Sequence, residues 1–420
     1  MSLIIYNRYG VVKMKIVVQK FGGTSLSTAE RRKMVVDKIT AAKNSDYKIV
    51  VIVSAMGRSG DPYSTDTLKN LVANNSQNTS PKHLDLLMSC GEIISSVVLA
   101  SELESKGFKV TALTGYQAGI LTDNTFGNAD ILSIDTTRVL NHLNQDEIVI
   151  VSGFQGATKD GETTTLGRGG SDTSAAALGM ALNAEYVEIY TDVDGIMTAD
   201  PNMVPKAKII EEINYEEVFQ MAEKGAQIIH PRAVEIAQNA NIPLKIKNTL
   251  SNHPGTSICN SSKIKRHLAY SSKDSDQLLT AITHKTNITQ VTISMDIDPD
   301  KDSKILSALA EASISIDMIN FFLDKKIFTI SDEKVPDLEK ILKSFEVEYS
   351  LLSNCSKVTI IGSRITGIPG VMATMVNGLV KENIQILQSS DSHATISCLV
   401  KGEDTKKAVN ALHHAFGLDK

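Results

Sequence analysis

KIVVQKFGGTS, residues 15–25, is the stretch that decides the fold. KIVVQ is a short β-branched run that stops at Gly22-Gly23, and Thr28 then precedes a helical stretch holding Met34, Val35, Ile39 and Ala42. The unit is strand, tight turn, helix. Residues 48–53, KIVVIV, form an uninterrupted apolar run of the kind that suits a parallel strand covered on both faces. Similar strands are expected at 108–113, 147–152 and 186–190, with helices between them at 83–105, 134–144 and 172–183. The alternation predicts an α/β fold: an open, mainly parallel sheet sandwich over roughly the first two-thirds of the chain. The turns after its strands read KFGGTS, SAMGRSG, TGYQAG and SGFQGAT. A single glycine there would report only a backbone that needs positive φ. Four such turns on the edge where open α/β sheets bind ligands point to a ligand edge.

With 420 residues the chain exceeds what one hydrophobic core usually serves, so two or three domains are expected. The composition, 42% hydrophobic and 22% charged, is that of an ordinary globular protein and argues against global disorder. A net charge of -5 with no long basic block gives no reason to expect nucleic acid. No unbroken run of about 18 apolar residues is present and the N-terminus has no signal core, so no membrane association and a cytoplasmic location are expected. Cys90, Cys259, Cys355 and Cys398 are scattered without zinc-ligand spacing and read as reduced structural thiols. The first thirteen residues are unlike the start of a packed element, and Met14 is an alternative start.

After about residue 262 the glycine-rich turns stop and a polar stretch at 271–276 follows. Beyond it the chain repeats itself. Strand 290–295, helix 303–312 and strand 314–319 are echoed by 357–361, 370–382 and 384–388. Val291-Thr292-Ile293 matches Val358-Thr359-Ile360, and Ile314-x-Ile316 matches Ile384-x-Ile386. Further strand-like runs at 327–330 and 394–400 complete two tandem βαββαβ-type, ferredoxin-like units. The expected domains are 14–265, 280–348 and 355–420, the last two forming one regulatory body.

The common nucleotide signatures are missing. There is no GxxxxGK[ST] loop, no GxGxxG after the first strand, and no GxSxG, HExxH or HRD and DFG set. A phosphate frame can still be assembled. Lys20 precedes two glycines whose amides can approach phosphate oxygens with no Cβ in the way, and it adds a point charge. GRGGSDT, 167–173, opens the small-residue helix that follows, so first-turn amides and the helix dipole would face the same anion. An Asp at the place of Asp172 is most often only an N-cap, and Arg168 is by default a solvated loop residue. The Asp192, Asp194 and Asp200 spacing lacks the closing Glu of a calcium loop, so no metal site made by the protein alone is expected.

KFGGTS at 20–25, SCGE at 89–92, SGFQG at 152–156, GRGGSD at 167–172, TDVDGIMTADP at 191–201 and the Gly-Ala and His-Pro pairs within 225–231 occur in the order seen in aspartate kinases. From about residue 14 to its end the chain resembles that family, and the tandem units after 280 resemble its ACT repeats. The resemblance implies transfer of a phosphoryl group from ATP, with Mg²⁺, to the side-chain carboxylate of L-aspartate, at the head of lysine, threonine and methionine synthesis. It implies Lys20 and Asp172 as catalytic residues, and Thr24, Ser25, Thr65, Glu92 and Arg168 around aspartate. Glu92 would take the α-ammonium and Arg168 the α-carboxylate. For ATP and its phosphates it implies Lys20, Phe21, Gly22, Gly23, Gly169, Gly170, Ser171, Thr191, Asp192, Met197 and Asn202. The chain departs from the family pattern at Asn202 and Gln227, where basic residues are usual.

The resemblance further implies a homo-oligomer, dimer or tetramer, formed through the ACT units, with lysine or threonine as inhibitor. The effector loops would be Asp298, Asp300 and Asp302 in the first unit and Ile368, Gly370 and Val371 in the second. Either only the glycine-bearing loop binds, or the first loop uses its aspartates for a cationic side chain, which favours lysine. A fused homoserine dehydrogenase is not expected, because the chain ends at Lys420. Two rival readings are another amino-acid kinase, such as glutamate 5-kinase or acetylglutamate kinase, and a catalytically silent amino-acid sensor. SCGE, GRGGSD and the ACT pair together speak against the first, and the presence of both Lys20 and Asp172 against the second.

Overall fold

The computed structural model describes residues 6–7, 10–11, 14–72, 79–226, 228–260, 279–294, 299–362, 365 and 368–419. The chain divides into two compact units, one from Met1–Ile196, Ile209–Phe219 and Gln227–Arg266, the other from Met197–Lys208, Gln220–Ala226 and His267–Lys420.

In the first unit β1 (Ile16–Phe21) passes through a helical turn at Gly23–Leu26 into α1 (Ala29–Asn44). Thr28 caps α1 by accepting from Arg31 N. Then come β2 (Lys48–Val53), α2 (Pro81–Glu104), β3 (Val110–Leu113), β4 (Ile120–Thr122), β5 (Ile131–Ile134), α3 (Thr137–Asn144), β6 (Ile148–Ser152) and β7 (Gln155–Ala157). β8 (Thr163–Thr165), α4 (Gly170–Ala181), β9 (Tyr186–Thr191), β10 (Glu212–Asn214), α5 (Tyr215–Glu223, whose residues from Gln220 onward are counted with the second unit), α6 (Pro231–Ala240), β11 (Leu244–Asn248) and β12 (Thr256–Cys259) follow. The main sheet has the order β10-β12-β11-β9-β1-β2-β6-β3. From β11 to β3 every pair is parallel, and β12 runs antiparallel to β11. A smaller sheet, β8-β7-β4-β5, lies in the same unit.

The unbroken apolar runs of the sequence are these central strands, with Val17, Val50, Val51, Val149, Ile150 and Val187 all buried. The ladder continues one residue past the strand ends: Gly22 N donates to Tyr190 O (3.3 Å), Ser54 N to Phe21 O (3.2 Å) and Gly153 N to Val53 O (3.0 Å). The glycine-bearing turns therefore share one edge, the carboxyl ends of the parallel strands.

Helix α2 starts two residues before the expected 83 because Ser80 caps it, accepting from His83 N, and Pro81 takes its first turn. By length and composition alone α2 could cross a membrane. Its buried face carries Asp85, Ser89, Glu92, Ser95 and Ser96, which marks it as the core helix of this unit. The helix expected over 134–144 is shorter, because 131–134 is strand β5 and Asp135 Oδ1 accepts from Thr137 N (3.0 Å) where α3 begins.

The second unit is built from β13 (Ala281–Ser294), α7 (Pro299–Glu311), β14 (Asp317–Phe321), β15 (Lys325–Ser331), α8 (Val335–Ser344), β16 (Glu348–Ile361), α9 (Val371–Lys381), β17 (Gln388–Ser392), β18 (Thr395–Lys401) and α10 (Thr405–Ala415). Its strands form one antiparallel sheet, β14-β15-β13-β16-β18-β17. The repeat is real but the halves are fused, since β16 ends the first copy and opens the second. The strands expected at 314–319 and 384–388 start later, at Asp317 and Gln388. Ser313 (φ 53°) and Asn383 (φ 57°) end the preceding helices in the left-handed region, and Ile314 and Ile384 enter the core before sheet pairing begins. Ala199 and Val204 join the core formed by Val358, Ile360, Met375 and Leu412. Thr198 Oγ1 lies 2.9 Å from His413 Nε2. The 197–208 stretch thus packs with this unit, while the boundary expected near 265 falls among 261–278, outside the described residues.

Gly23 is where β1's turn meets the next one. A Cβ there would lie 2.5 Å from Ala55 O and 2.6 Å from Gly57 O, both backbone atoms with little room to yield. Gly23→Ala is expected to cost about 1–3 kcal/mol, the range for overpacking. Thermal melting checks this; an unshifted melting temperature would mean that the two turns separate freely.

Candidate active site

The pleat of β1 puts Gln19 and Lys20 on opposite faces of the sheet, with Lys20 in register with Ile52 and Ile189. Lys20 Nζ meets Asp172 Oδ1 at 2.6 Å, and each side chain is 13% exposed. Asp172 lies in the first turn of α4, but the N-cap is Gly169, which makes no side-chain cap bond. The capping alternative for Asp172 is thereby replaced: its carboxylate turns to Lys20. Gly169 adopts φ 69°, and a Cβ there would fall 2.3 Å from His230 Cβ, so the turn into α4 requires glycine.

Gly22 sits beside Lys20, with the position of a Cβ only 3.8 Å from Nζ. Gly170 and Ser171 are buried at the start of α4. Burial holds the His230 pKa below its ordinary value; Asp172 opposes that shift, while Arg232 and Arg168 add to it. These charges surround one place.

Glu92, on α2, is 2% exposed. Its Oε1 accepts from Ala55 N (3.0 Å), and its Oε2 has no hydrogen-bond partner. Burial pushes its pKa up to about 8, and the hydrogen bond from Ala55 only partly offsets this. Because the folded pKa is above the usual 4.5, this group's contribution to stability is full below that value and is lost as pH rises through about 8.

The other expected aspartate contacts are placed as follows. Thr24 is half-buried and its carbonyl accepts from Ser27 Oγ (2.9 Å) and Arg31 Nη1 (2.8 Å). Ser25 is buried and its hydroxyl is 2.7 Å from Thr249 Oγ1. Thr65 begins the helix Thr65–Asn70, which Ser64 caps. Arg168 is exposed. Among the expected nucleotide residues, Phe21 stacks on Tyr190 with ring centroids 4.7 Å apart, on the sheet face opposite Lys20. Thr191 Oγ1 donates to Asp192 Oδ1 (3.2 Å), and Asp192 Oδ2 accepts from Arg58 Nη2 (2.6 Å). Met197 and Asn202 belong to the 197–208 stretch of the second unit. Gln227 and Asp298 lie outside the described residues.

Sequence reasoning missed Arg58, Asp85, Thr249 and Arg232. Arg58 lies in the SAMGRSG turn, which offered a signal; the other three act on partners distant in the chain.

A lysine and an aspartate facing each other at a glycine-lined sheet edge, beside a helix N-terminus, are the equipment of a phosphoryl-transfer enzyme. Residues 15–248 match the amino acid kinase family and 351–414 match the ACT domain. Aspartokinase 1 of Bacillus subtilis (strain 168) is 45% identical, over 97% of this chain and 100% of that one. E. coli aspartokinase III in complex with aspartate and ADP (R-state) has a TM-score of 0.76 at 26% identity, covering 96% of this chain and 99% of that one. The same enzyme in complex with lysine and aspartate (T-state) has a TM-score of 0.74 at 25% identity, with the same coverage. The chain belongs to the amino acid kinase family and, within it, to the aspartokinases.

Glu92 can pair with an ammonium group only when ionised. If Glu92 takes the α-ammonium of aspartate, as the resemblance implies, the aspartate KM is expected to fall as pH rises through about 8, and Glu92→Gln to remove that dependence. Initial rates across pH at saturating ATP check this; a flat KM in the parent enzyme would place the ammonium elsewhere.

Proposed function

We propose that this chain transfers the terminal phosphoryl group of ATP to the side-chain carboxylate of L-aspartate, giving 4-phospho-L-aspartate. The Lys20–Asp172 pair carries the reading. An ionised carboxylate needs no general base, so the task is to bring two anions together. Lys20 balances charge on the transferring phosphoryl group, with Asp172 holding its ammonium in place. Gly22, whose own amide is bonded to Tyr190 O, leaves room for close approach, the Gly23 amide and the first turn of α4 take phosphate oxygens, and Thr191 and Asp192 border the nucleotide. Glu92 and Arg168 hold the α-ammonium and α-carboxylate of aspartate, with Thr24, Ser25 and Thr65 along the lining.

Gly22, Gly23 and the uncapped start of α4 form a cradle that suits a nucleotide's phosphates. Among the described residues no group of three or more His, Cys, Asp or Glu is placed to hold a metal. Mg²⁺ would accordingly be held mainly by phosphate oxygens and water, with Asp172 or Asp192 as carboxylate neighbours. Its chemistry would be neutralisation of phosphate charge.

The second unit supports regulation by an amino acid and self-association. Edge strand β14 and the turn after it expose Ile319, Phe321, Phe322 and Leu323, an apolar patch suited to a second copy. Lysine is the favoured effector: E. coli aspartokinase III in complex with lysine and aspartate is the T-state structure. Asp302 already pairs with Lys326 at 2.5 Å, an arrangement that a ligand ammonium could replace. The second loop offers Ile368, Gly370 and Val371. The product would feed lysine, threonine and methionine synthesis in the cytoplasm, a compartment consistent with four free cysteines.

Aspartyl hydroxamate formation from ATP, Mg²⁺, aspartate and hydroxylamine tests the reaction; greater turnover with glutamate would overturn the substrate. Lys20→Ala is expected to lower kcat by about 100-fold or more, and a loss under about tenfold would make Lys20 structural. Arg168→Ala is expected to raise mainly the aspartate KM.

Isothermal titration tests the effector separately. Lysine is expected to bind and to inhibit; threonine binding with no lysine binding would reject that choice.

A further inference from the structure

Asp85 is a carboxylate at 1% exposure on α2, outside every motif that marks the site. Burying such a group is unfavourable unless hydrogen bonds replace its water. Here three do. Oδ2 accepts from Gly127 N (2.9 Å) and Thr165 N (2.8 Å), and Oδ1 accepts from Thr165 Oγ1 (2.8 Å). Two of the three donors are main-chain amides from separate segments, so the carboxylate ties one backbone to another.

The tied segments lead to Arg168. Thr165 ends β8, and three residues later comes Arg168. Ala129 N donates to Thr165 O (2.9 Å), so the 127–129 stretch is fastened to β8 both directly and through Asp85. On the far side Arg232 Nη1 donates to Ala129 O (3.2 Å) and Leu166 O (3.4 Å). The backbone that carries Arg168 is therefore held from two directions. Asp85 also lies seven residues, two helical turns, before Glu92 on the same buried face of α2. Between them Ser89 O accepts from Gln155 Nε2 (3.0 Å), and Glu92 accepts from Ala55 N.

We infer that Asp85 is a positioning residue: it fixes the backbone of Arg168 to the helix that carries Glu92, and so sets the spacing between the groups that take the two ends of the substrate's amino-acid moiety. The inference rests on the proposed roles of Glu92 and Arg168. It gives a buried carboxylate, which makes no ion pair among the described residues, a function that packing alone would not require. It also bears on specificity: once the α-ammonium and α-carboxylate are fixed, the distance left to Lys20 selects the shorter side chain of aspartate over that of glutamate.

The test measures KM for aspartate and for ATP, the aspartate-to-glutamate preference and the melting temperature in the full chain. Asp85→Ala leaves two amides unpaired and is expected to raise the aspartate KM by about tenfold or more, with the ATP KM within about twofold. It should also narrow the preference for aspartate over glutamate. Asp85→Asn keeps one oxygen for both amides and can donate to Thr165 Oγ1, so its aspartate KM should stay within about threefold of the parent. Should Asp85→Ala fail to fold, Thr165→Val removes one of the three bonds and is expected to raise the aspartate KM by about threefold or more. An unchanged aspartate KM in Asp85→Ala, or in Thr165→Val where that variant stands in for it, overturns the inference, as does a parallel rise in the KM for aspartate and for ATP. In an Arg168→Ala background Asp85→Ala should add less than about twofold, and full additivity also overturns it. If Arg168→Ala alone leaves the aspartate KM unchanged, the substrate reading itself fails; if it raises that KM while Asp85→Ala does not, only the positioning role fails.

Discussion

The contact between Lys20 and Asp172 joins the central strand to the helix that opens the phosphate cradle, and the site depends on it. Lys20 reaches Asp172 only because β1 holds one register between β2 and β9. A slip of one residue would present Gln19 or Phe21 to α4 instead. Asp172 in turn gains from the first turn of α4, where the helix dipole favours negative charge. Each partner lowers the cost of partly burying the other. In the proposed transfer, a lysine held in this way would already be aimed when an anion arrives, with little reorganisation needed.

The opposite face of the same sheet shows how charge is kept out of the reaction. Glu188 is buried next to Gln19 and accepts from Gln19 Nε2 (2.8 Å), Tyr190 OH (3.1 Å) and Lys247 Nζ (3.2 Å). A parallel sheet covered on both faces can hold two separate polar systems because its strands alternate sides. One network converges on Glu188 and leaves Gln19 Oε1 without a partner among the described residues. The other, around Lys20, faces the edge where the turns leave room.

Much of this was legible in the sequence. Turns that need close backbone approach demand glycine, and Gly23 and Gly169 leave that mark wherever the chain is read. Unbroken apolar runs likewise gave the parallel strands to within a few residues. What could not be read were contacts whose partners are remote or are main-chain atoms. Asp85 bonds Thr165 eighty positions away, and Ser25 meets Thr249 across 224. Neither pairing leaves a local pattern. The repeat after 280 was visible, but the sharing of β16 between its halves was not, because a continuous strand and two abutting strands have the same alternation. TDVDGIMTADP read as one lip, yet its residues from Met197 onward pack with the second unit through Ala199.

Glu92 differs from the rest of the site in that its charge is conditional. Lys20, Arg168 and the first-turn amides of α4 offer positive charge or donors, which suits anionic ligands. An ionised Glu92 with no cation beside it would be a buried anion with one unpaired oxygen, and burial therefore favours its protonated form near neutral pH. An arriving ammonium group reverses that balance by supplying the missing partner. A dicarboxylate without the amine, such as succinate, brings no cation and leaves Glu92 neutral. On the proposed role of Glu92, selection for an amino acid over a simple diacid follows from one desolvated carboxylate, independently of how well the pocket fits the carbon chain.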